Sequence, residues 1–300
     1  MLEILLGLAL VGEGSPDVGT TGFNFLKVPP TAREAAMGNA AIGFSDNAFG
    51  LWYNPAGIVE LTTPQGGLSY ISYIAGVQSG ALSYVNPMGK LAFGIGGYYL
   101  NSGVMKRTDD LNTDLGTFSV SYLDINPAFG WKPMEKLALG AGVKILYGTI
   151  DSFWTLGLGA DIGAKYTLMP GLQATFVAHN LGTSVKAFQS QADKLPMDFA
   201  LGFGYAPVER LRFDLEVHQP LDNKLEVRAG VEGWVWPNVC LRAGVTTGGG
   251  DLKGGGGSDI LAGLSTGLGF KLTRYEVDYS YTPMVLLGNA HRISFRYSFQ

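Results

Sequence analysis

Leu211-Arg212-Phe213-Asp214-Leu215-Glu216-Val217-His218 alternates apolar and polar side chains without exception. Successive side chains of a strand point to opposite faces, so a period of two marks a strand with one apolar face. The same period returns in Lys224–Glu232, where Leu225, Val227, Ala229 and Val231 oppose Lys224, Glu226, Arg228 and Glu232. In Arg274–Tyr281, Tyr275, Val277, Tyr279 and Tyr281 oppose Arg274, Glu276, Asp278 and Ser280. The last run sets Ile293, Phe295, Tyr297 and Phe299 against Arg292, Ser294, Arg296 and Ser298.

Short turns separate these runs in pairs. Asn86-Pro87-Met88-Gly89-Lys90, Lys132-Pro133-Met134-Glu135-Lys136 and Leu168-Met169-Pro170-Gly171 are followed by Ala206–Arg210, Trp236-Pro237-Asn238 and Lys271–Arg274. Between them lie mostly longer, polar connections: Asn101–Leu115, Gly182–Leu195, the glycine-rich Thr247–Ser258 and Pro283–Ala290. Tight turns therefore share one end of the structure and long loops the other, as in outer-membrane barrels. The runs number about fourteen, an even count. They cover 67–75, 78–86, 90–100, 116–132, 135–149, 155–168, 171–181, 196–207, 210–220, 224–236, 238–247, 259–270, 273–282 and 290–300.

Composition leaves a soluble sandwich or propeller open, and strand length decides against both. Charged residues make up 15% of the 300 residues, aromatics 12%, and there are 44 glycines. No window holds the roughly 18 apolar residues of a spanning helix. Many runs reach the roughly 9–11 residues that cross a bilayer at a tilt, whereas soluble strands average about 5–6. The expected fold is all-β: a transmembrane antiparallel barrel of about fourteen strands, residues 67–300, in the bacterial outer membrane. The apolar face meets lipid, because hydrocarbon satisfies no polar group. Arg212, Asp214, Glu216, His218, Glu226, Arg228, Arg242, Glu276, Asp278, Arg292 and Arg296 then face the lumen. Trp131, Trp234, Trp236 and Tyr281 fall near strand ends, where aromatic girdles form.

Residues 15–66 read differently, as a folded plug inside the lumen. Thr31-Ala32-Arg33-Glu34 has the spacing of a capping box, with Thr31 and Glu34 as its two members, so a short helix starts there and Gly38 ends it. Asp46 caps a second helical turn, which Asn54-Pro55 stops. Residues 1–14 are short and apolar, like the core of a secretory leader, but Glu3 stands where a basic residue is usual. The single cysteine, Cys240, cannot form an internal disulfide.

Gly22-Phe23-Asn24-Phe25-Leu26, Ala32–Gly38, Asp46-Asn47-Ala48 and Trp52-Tyr53-Asn54-Pro55-Ala56-Gly57 together resemble the PorV/PorQ family. That family is similar to the FadL-type fatty-acid transporters. The resemblance implies fourteen strands and an N-terminal segment that plugs the lumen. It implies a hatch motif at Asn54, Pro55, Ala56 and Gly57. The chain departs from FadL-type transporters in its modest external loops, and Phe299 is penultimate where barrels usually end on the aromatic.

No chemistry of an enzyme emerges. His179, His218 and His291 lack metal-ligand spacing, and no nucleophile-elbow or phosphate-loop pattern occurs. No catalytic residue, metal or cofactor is expected, and a net charge of −4 gives no sign of a nucleic-acid partner. The expected partners are outer-membrane lipid together with secretion-machine proteins, secreted cargo or a hydrophobic small molecule. The N-terminal string ranks a PorV-like role in protein secretion, of type IX character, ahead of FadL-like passive uptake of fatty acids or other hydrophobic molecules.

Overall fold

Period-two segments can satisfy every backbone N–H and C=O only by pairing on both edges, and the last strand here closes on the first. A computed structural model describes residues 18–188, 192–252 and 257–299; the leader reading of residues 1–14 lies outside the described residues. The described strands are β1 Gln65–Ser72, β2 Gln78–Met88, β3 Leu91–Asn101, β4 Met105–Thr108, β5 Asp114–Phe118, β6 Val120–Met134, β7 Leu137–Ile150 and β8 Phe153–Met169. They continue with β9 Leu172–Lys186, β10 Asp198–Val208, β11 Leu211–Pro220, β12 Glu226–Trp236, β13 Val239–Thr246, β14 Leu264–Leu272, β15 Tyr275–Pro283 and β16 Asn289–Ser298.

All but β4 and β5 form one closed antiparallel barrel of fourteen strands. Closure runs from Gln65 opposite Ser298 to Ser72 opposite His291. The strands β4 and β5 form a separate hairpin that extends the loop between β3 and β6. Barrel strands range from 8 residues in β1 and β13 to 17 in β8. Among the described residues, no helix is long and apolar enough to cross a membrane.

Strand boundaries differ from the sequence reading at several places; the run over 116–132 begins in the barrel only at Val120, because Asp114–Phe118 pairs with Met105–Thr108 outside it. The run over 259–270 starts only at Leu264, because 257–261 forms a 3-10 turn. Strand β9 continues to Lys186, into the expected loop, through a bulge at Asn180. There Asn180 takes φ 56°, a left-handed conformation that asparagine tolerates. The long-loop end also has one short connection, between Ile150 and Phe153.

Facing follows the alternation. On β11, Phe213, Leu215 and Val217 are 41%, 52% and 37% exposed, whereas Asp214, Glu216 and His218 are 2%, 0% and 1% exposed. The order is inverted relative to a water-soluble fold, and the exposed outer wall is apolar. Cross-strand aromatics such as Phe93 and Phe129, 5.2 Å apart, lie on that outer surface. Cys240 is buried in β13.

Leu215 lies at the middle of β11, so its outward position can be tested directly. Leu215→Arg should destabilise the folded barrel in lipid vesicles by about 2–4 kcal/mol, the cost of an arginine at the bilayer midplane. Leu215→Met should leave it unchanged. Urea titration with tryptophan fluorescence measures both, and equal stability of the two variants would contradict a lipid-facing Leu215.

Candidate functional site

The chain before β1 touches the wall around its whole circumference. The amide of Ala32 donates to Ser294 Oγ on β16 at 2.9 Å, and that of Gly38 to Ser265 Oγ on β14 at 2.9 Å. Ile42 N donates to Glu216 on β11 at 2.7 Å, and Trp52 Nε1 to Asp124 on β6 at 3.3 Å. Glu60 pairs with Lys165 on β8. Residues 31–59 are nearly all buried.

Short pieces of helix make up this segment, and each depends on the wall. Helix α1, Ala32–Ala36, is too short to persist alone in water. Thr31 and Glu34 do not cap it as a capping box would: Thr31 makes no side-chain bond to the helix backbone. Its hydroxyl bonds Glu34 and, at 2.8 Å, Tyr53 Oη, while Asn47 Nδ2 donates to Glu34 at 2.9 Å. Inside a barrel, side chains from elsewhere compete for groups that would cap a helix in water. Gly38 ends the helix at φ 69°, and a Cβ there would stand 2.5 Å from Val245 N.

Asp46 does not cap the next turn. It forms ion pairs with Arg212 at 3.0 Å and Arg33 at 3.4 Å, and Asn47 Oδ1 accepts from Phe49 N instead. The Asn54-Pro55 pair starts a 3-10 helix, Pro55–Glu60, that the sequence reading missed. Proline at the first helical position needs no N–H partner, and Asn54 Oδ1 accepts from Ala56 N at 3.0 Å. Pro55, Ala56 and Gly57 are buried in the same helix. Pro55 and Ala56 press on Gly140 of β7, where a Cβ would collide with their backbone.

The polar residues of β11–β16 form two groups. In one, Arg33 donates to Glu232 at 2.7 Å, Glu232 accepts from Arg242 at 2.7 Å, and Arg242 reaches Asp278 at 2.7 Å. Arg296 joins Asp278 at 2.7 Å and Glu276 at 2.5 Å, and Arg212 enters through Asp46. Arg33, Arg212, Arg242 and Arg296 thus alternate with Asp46, Glu232, Asp278 and Glu276. Burial disfavours the charge on Arg33, but Glu232 and Asp46 outweigh it and keep the guanidinium protonated. Burial likewise raises the Asp46 carboxyl, yet Arg212 and Arg33 bring it below its ordinary value.

In the second group His218 bridges Asp198 at 2.6 Å and Glu216 at 2.8 Å. Glu226 pairs with Arg228 at 2.9 Å beside it. Asp214 is buried with neither carboxylate oxygen hydrogen-bonded, close against Gly43. Arg292 belongs to neither group. Sequence reasoning left out Arg33, Asp46 and Glu232 as site residues, although the alternation already placed Glu232 on the polar face.

The interior beside β1, β2 and β3 is largely apolar, with Asp124 on β6 and Lys144 on β7, paired with Asp161 at 3.0 Å, as buried polar groups at its margin. Phe23, Phe25, Leu51, Trp52, Tyr53 and Ile58 pack against Ile71, Val85, Tyr98, Leu100 and Leu146 from β1, β2, β3 and β7. Phe25 stacks on Tyr98 and Tyr122, with centroids 5.5 and 5.1 Å away. Above this segment, at the long-loop end, lies a cavity of about 390 Å³. Its floor includes Leu26, Pro29 and Trp52, and its walls include Tyr73, Tyr98 and Arg292. That volume lies within the range of small-molecule sites.

Removing one partner from the buried ion chain should strand the others. Arg33→Met should cost about 3–5 kcal/mol and expose residues 31–61 to added protease in detergent micelles. Arg33→Lys should fall between Arg33→Met and wild type, since an ammonium lacks the two-pronged fork. Unchanged protection in Arg33→Met would show that the pair does not hold the segment.

No family model matches the chain, and no curated protein matches it. Among solved structures it is similar to the CymD monoaromatic hydrocarbon channel, with a TM-score of 0.68 and 15% identity over 93% of this chain and 99% of that one. It is similar to the P. putida toluene transporter TodX, with a TM-score of 0.62 and 11% identity over 90% of this chain and 98% of that one. A Pseudomonas aeruginosa FadL homologue matches with a TM-score of 0.61 and 13% identity over 90% of this chain and 98% of that one. At such identities the shared property is the fold.

Proposed function

We propose that the chain is a transporter of the bacterial outer membrane that admits hydrophobic small molecules. In this proposal residues 67–300 form the membrane barrel and residues 15–66 its plug, with Asn54–Gly57 as the hatch motif. The observation that carries it is the cavity at the loop end, lined in part by Trp52, Tyr53, Tyr73 and Tyr98, next to an aromatic and aliphatic cluster packed against β1–β3. Charged rows on β11–β16 argue against a wholly apolar lumen. They engage the N-terminal segment and one another, and a smaller buried set, Lys144, Asp161 and Asn180, lies on β7–β9.

This reverses the order taken from the N-terminal string, which placed protein secretion first. The structures similar in fold are named as hydrocarbon and toluene channels or as a FadL homologue, and they support the uptake reading. Secretion remains tied to the PorV/PorQ resemblance alone.

Cells producing the protein should take up a hydrophobic probe such as toluene several-fold faster than cells lacking it. Unchanged uptake, together with secretion components isolated on the protein from native membranes, would replace this function with cargo docking. In planar bilayers, deletion of 22–61 should raise conductance well above that of the intact chain. A silent deletion would show that this segment does not close the lumen.

A further inference from the structure

The inward arginines Arg212, Arg228, Arg242 and Arg296 each have a carboxylate partner. Arg292 on β16 does not. It is 1% exposed, and among the described residues its guanidinium bonds only Pro29 O at 3.1 Å and Thr282 Oγ1 at 3.2 Å. A guanidinium has five N–H donors in a rigid fork, so most of this one's capacity is unfilled. A buried cation without a counter-ion is unfavourable, and such groups are usually paired. Arg292 lines the cavity together with Tyr53, Tyr73, Tyr98 and Trp52. Its Cζ lies 6.0 Å from the Tyr73 ring centroid.

We propose that this cavity binds a small aromatic carboxylate, with the acid on Arg292 and the ring among Trp52, Tyr53, Tyr73 and Tyr98. This rests on the uptake function above and names its ligand class. The carboxylate would meet the guanidinium fork with two parallel hydrogen bonds. Offset or edge-on packing against the tyrosines would hold the ring. The other acids on the cavity wall that have ionic partners, Asp198, Asp222 and Glu226, are occupied by His218, Lys27 and Arg228. Asp124, which has no ionic partner among the described residues, sits on β6, with β1, β2 and β3 between it and β16. Lys144, the cavity-lining cation near Asp124, is already paired with Asp161 at 3.0 Å, so the counter-charge free for an acid head is Arg292, which fixes the ligand's direction.

Equilibrium binding to the intact protein in non-ionic detergent tests this, with benzoate against benzyl alcohol and decanoate against decanol. Benzoate should bind at least about tenfold more tightly than benzyl alcohol, the scale of a charge-assisted hydrogen bond. Arg292→Met should erase that preference by weakening benzoate far more than benzyl alcohol, and Arg292→Lys should retain part of it. Equal binding of benzoate and benzyl alcohol to wild type, or a preference that survives in Arg292→Met, would overturn the role of Arg292. Should Arg292→Met fail to fold, the wild-type ratio and Arg292→Lys decide. Tighter binding of decanoate than benzoate, lost in Arg292→Met, would overturn the aromatic class. Failure of all four probes to bind would remove the uptake function as well, whereas equal acid and alcohol binding leaves it standing.

Discussion

Arg33 is a buried cation in a segment without regular sheet structure, and its pairing with Glu232 fixes where that segment sits. A buried ion pair adds little net stability, because desolvation offsets most of the attraction. Its effect is on position: shifting the segment would leave a charge unpaired inside the barrel. Glu232 is shared with Arg242, and Arg242 with Asp278, so the constraint passes from the N-terminal segment across β12, β13, β15 and β16. Amide bonds to Glu216, Ser265 and Ser294 add directional restraint on the same side.

The interior is therefore divided. The β11–β16 side uses its inward positions for charge and hydrogen bonding, whereas beside β1–β3 aromatic and aliphatic side chains of the N-terminal segment fill the space, with Asp124 and Lys144 as polar exceptions on β6 and β7. The cavity at the loop end lies over both, which is why Trp52 and Tyr98 share its lining with Asp198 and Arg228. A molecule with an apolar body finds most of its matching surface beside β1–β3. Any ionised group it carries must find a counter-charge on the wall, and most wall charges are already paired.

The wall was legible in the sequence because lipid imposes a strict period of two, and β11, β12, β15 and β16 keep it with charged residues. The apolar side was harder to read. Its inward positions, as in Leu137–Ile150, are largely Ala and Gly, so the contrast between faces is weak there. Inside the N-terminal segment, local rules gave the position of α1 but not its partners. Thr31, Glu34 and Asp46 would cap helices in water; within the barrel, Tyr53, Asn47, Arg33 and Arg212 claim them first. The start of a helix at Pro55 was hidden because Asn-Pro can close the helical turn before it and open another after it.

That division also sets which part of the segment can rearrange most easily. Arg33 and Asp46 cannot leave the charged side without stranding several ions. Asn54–Gly57 lies on the other side, against Gly140 and Gly163 of β7 and β8. Its own polar bonds are few and local: Asn54 to Ile42 O at 3.2 Å and to Ala56 N. Packing contacts there can re-form after a small shift, whereas an unpaired buried charge cannot be satisfied by sliding. The Glu60–Lys165 pair limits the shift at its C-terminal end. The ion pairs of Arg33, Asp46 and Glu60 thus tie the segment to the wall on either side of this stretch, while Trp52–Val59 is held mainly by packing.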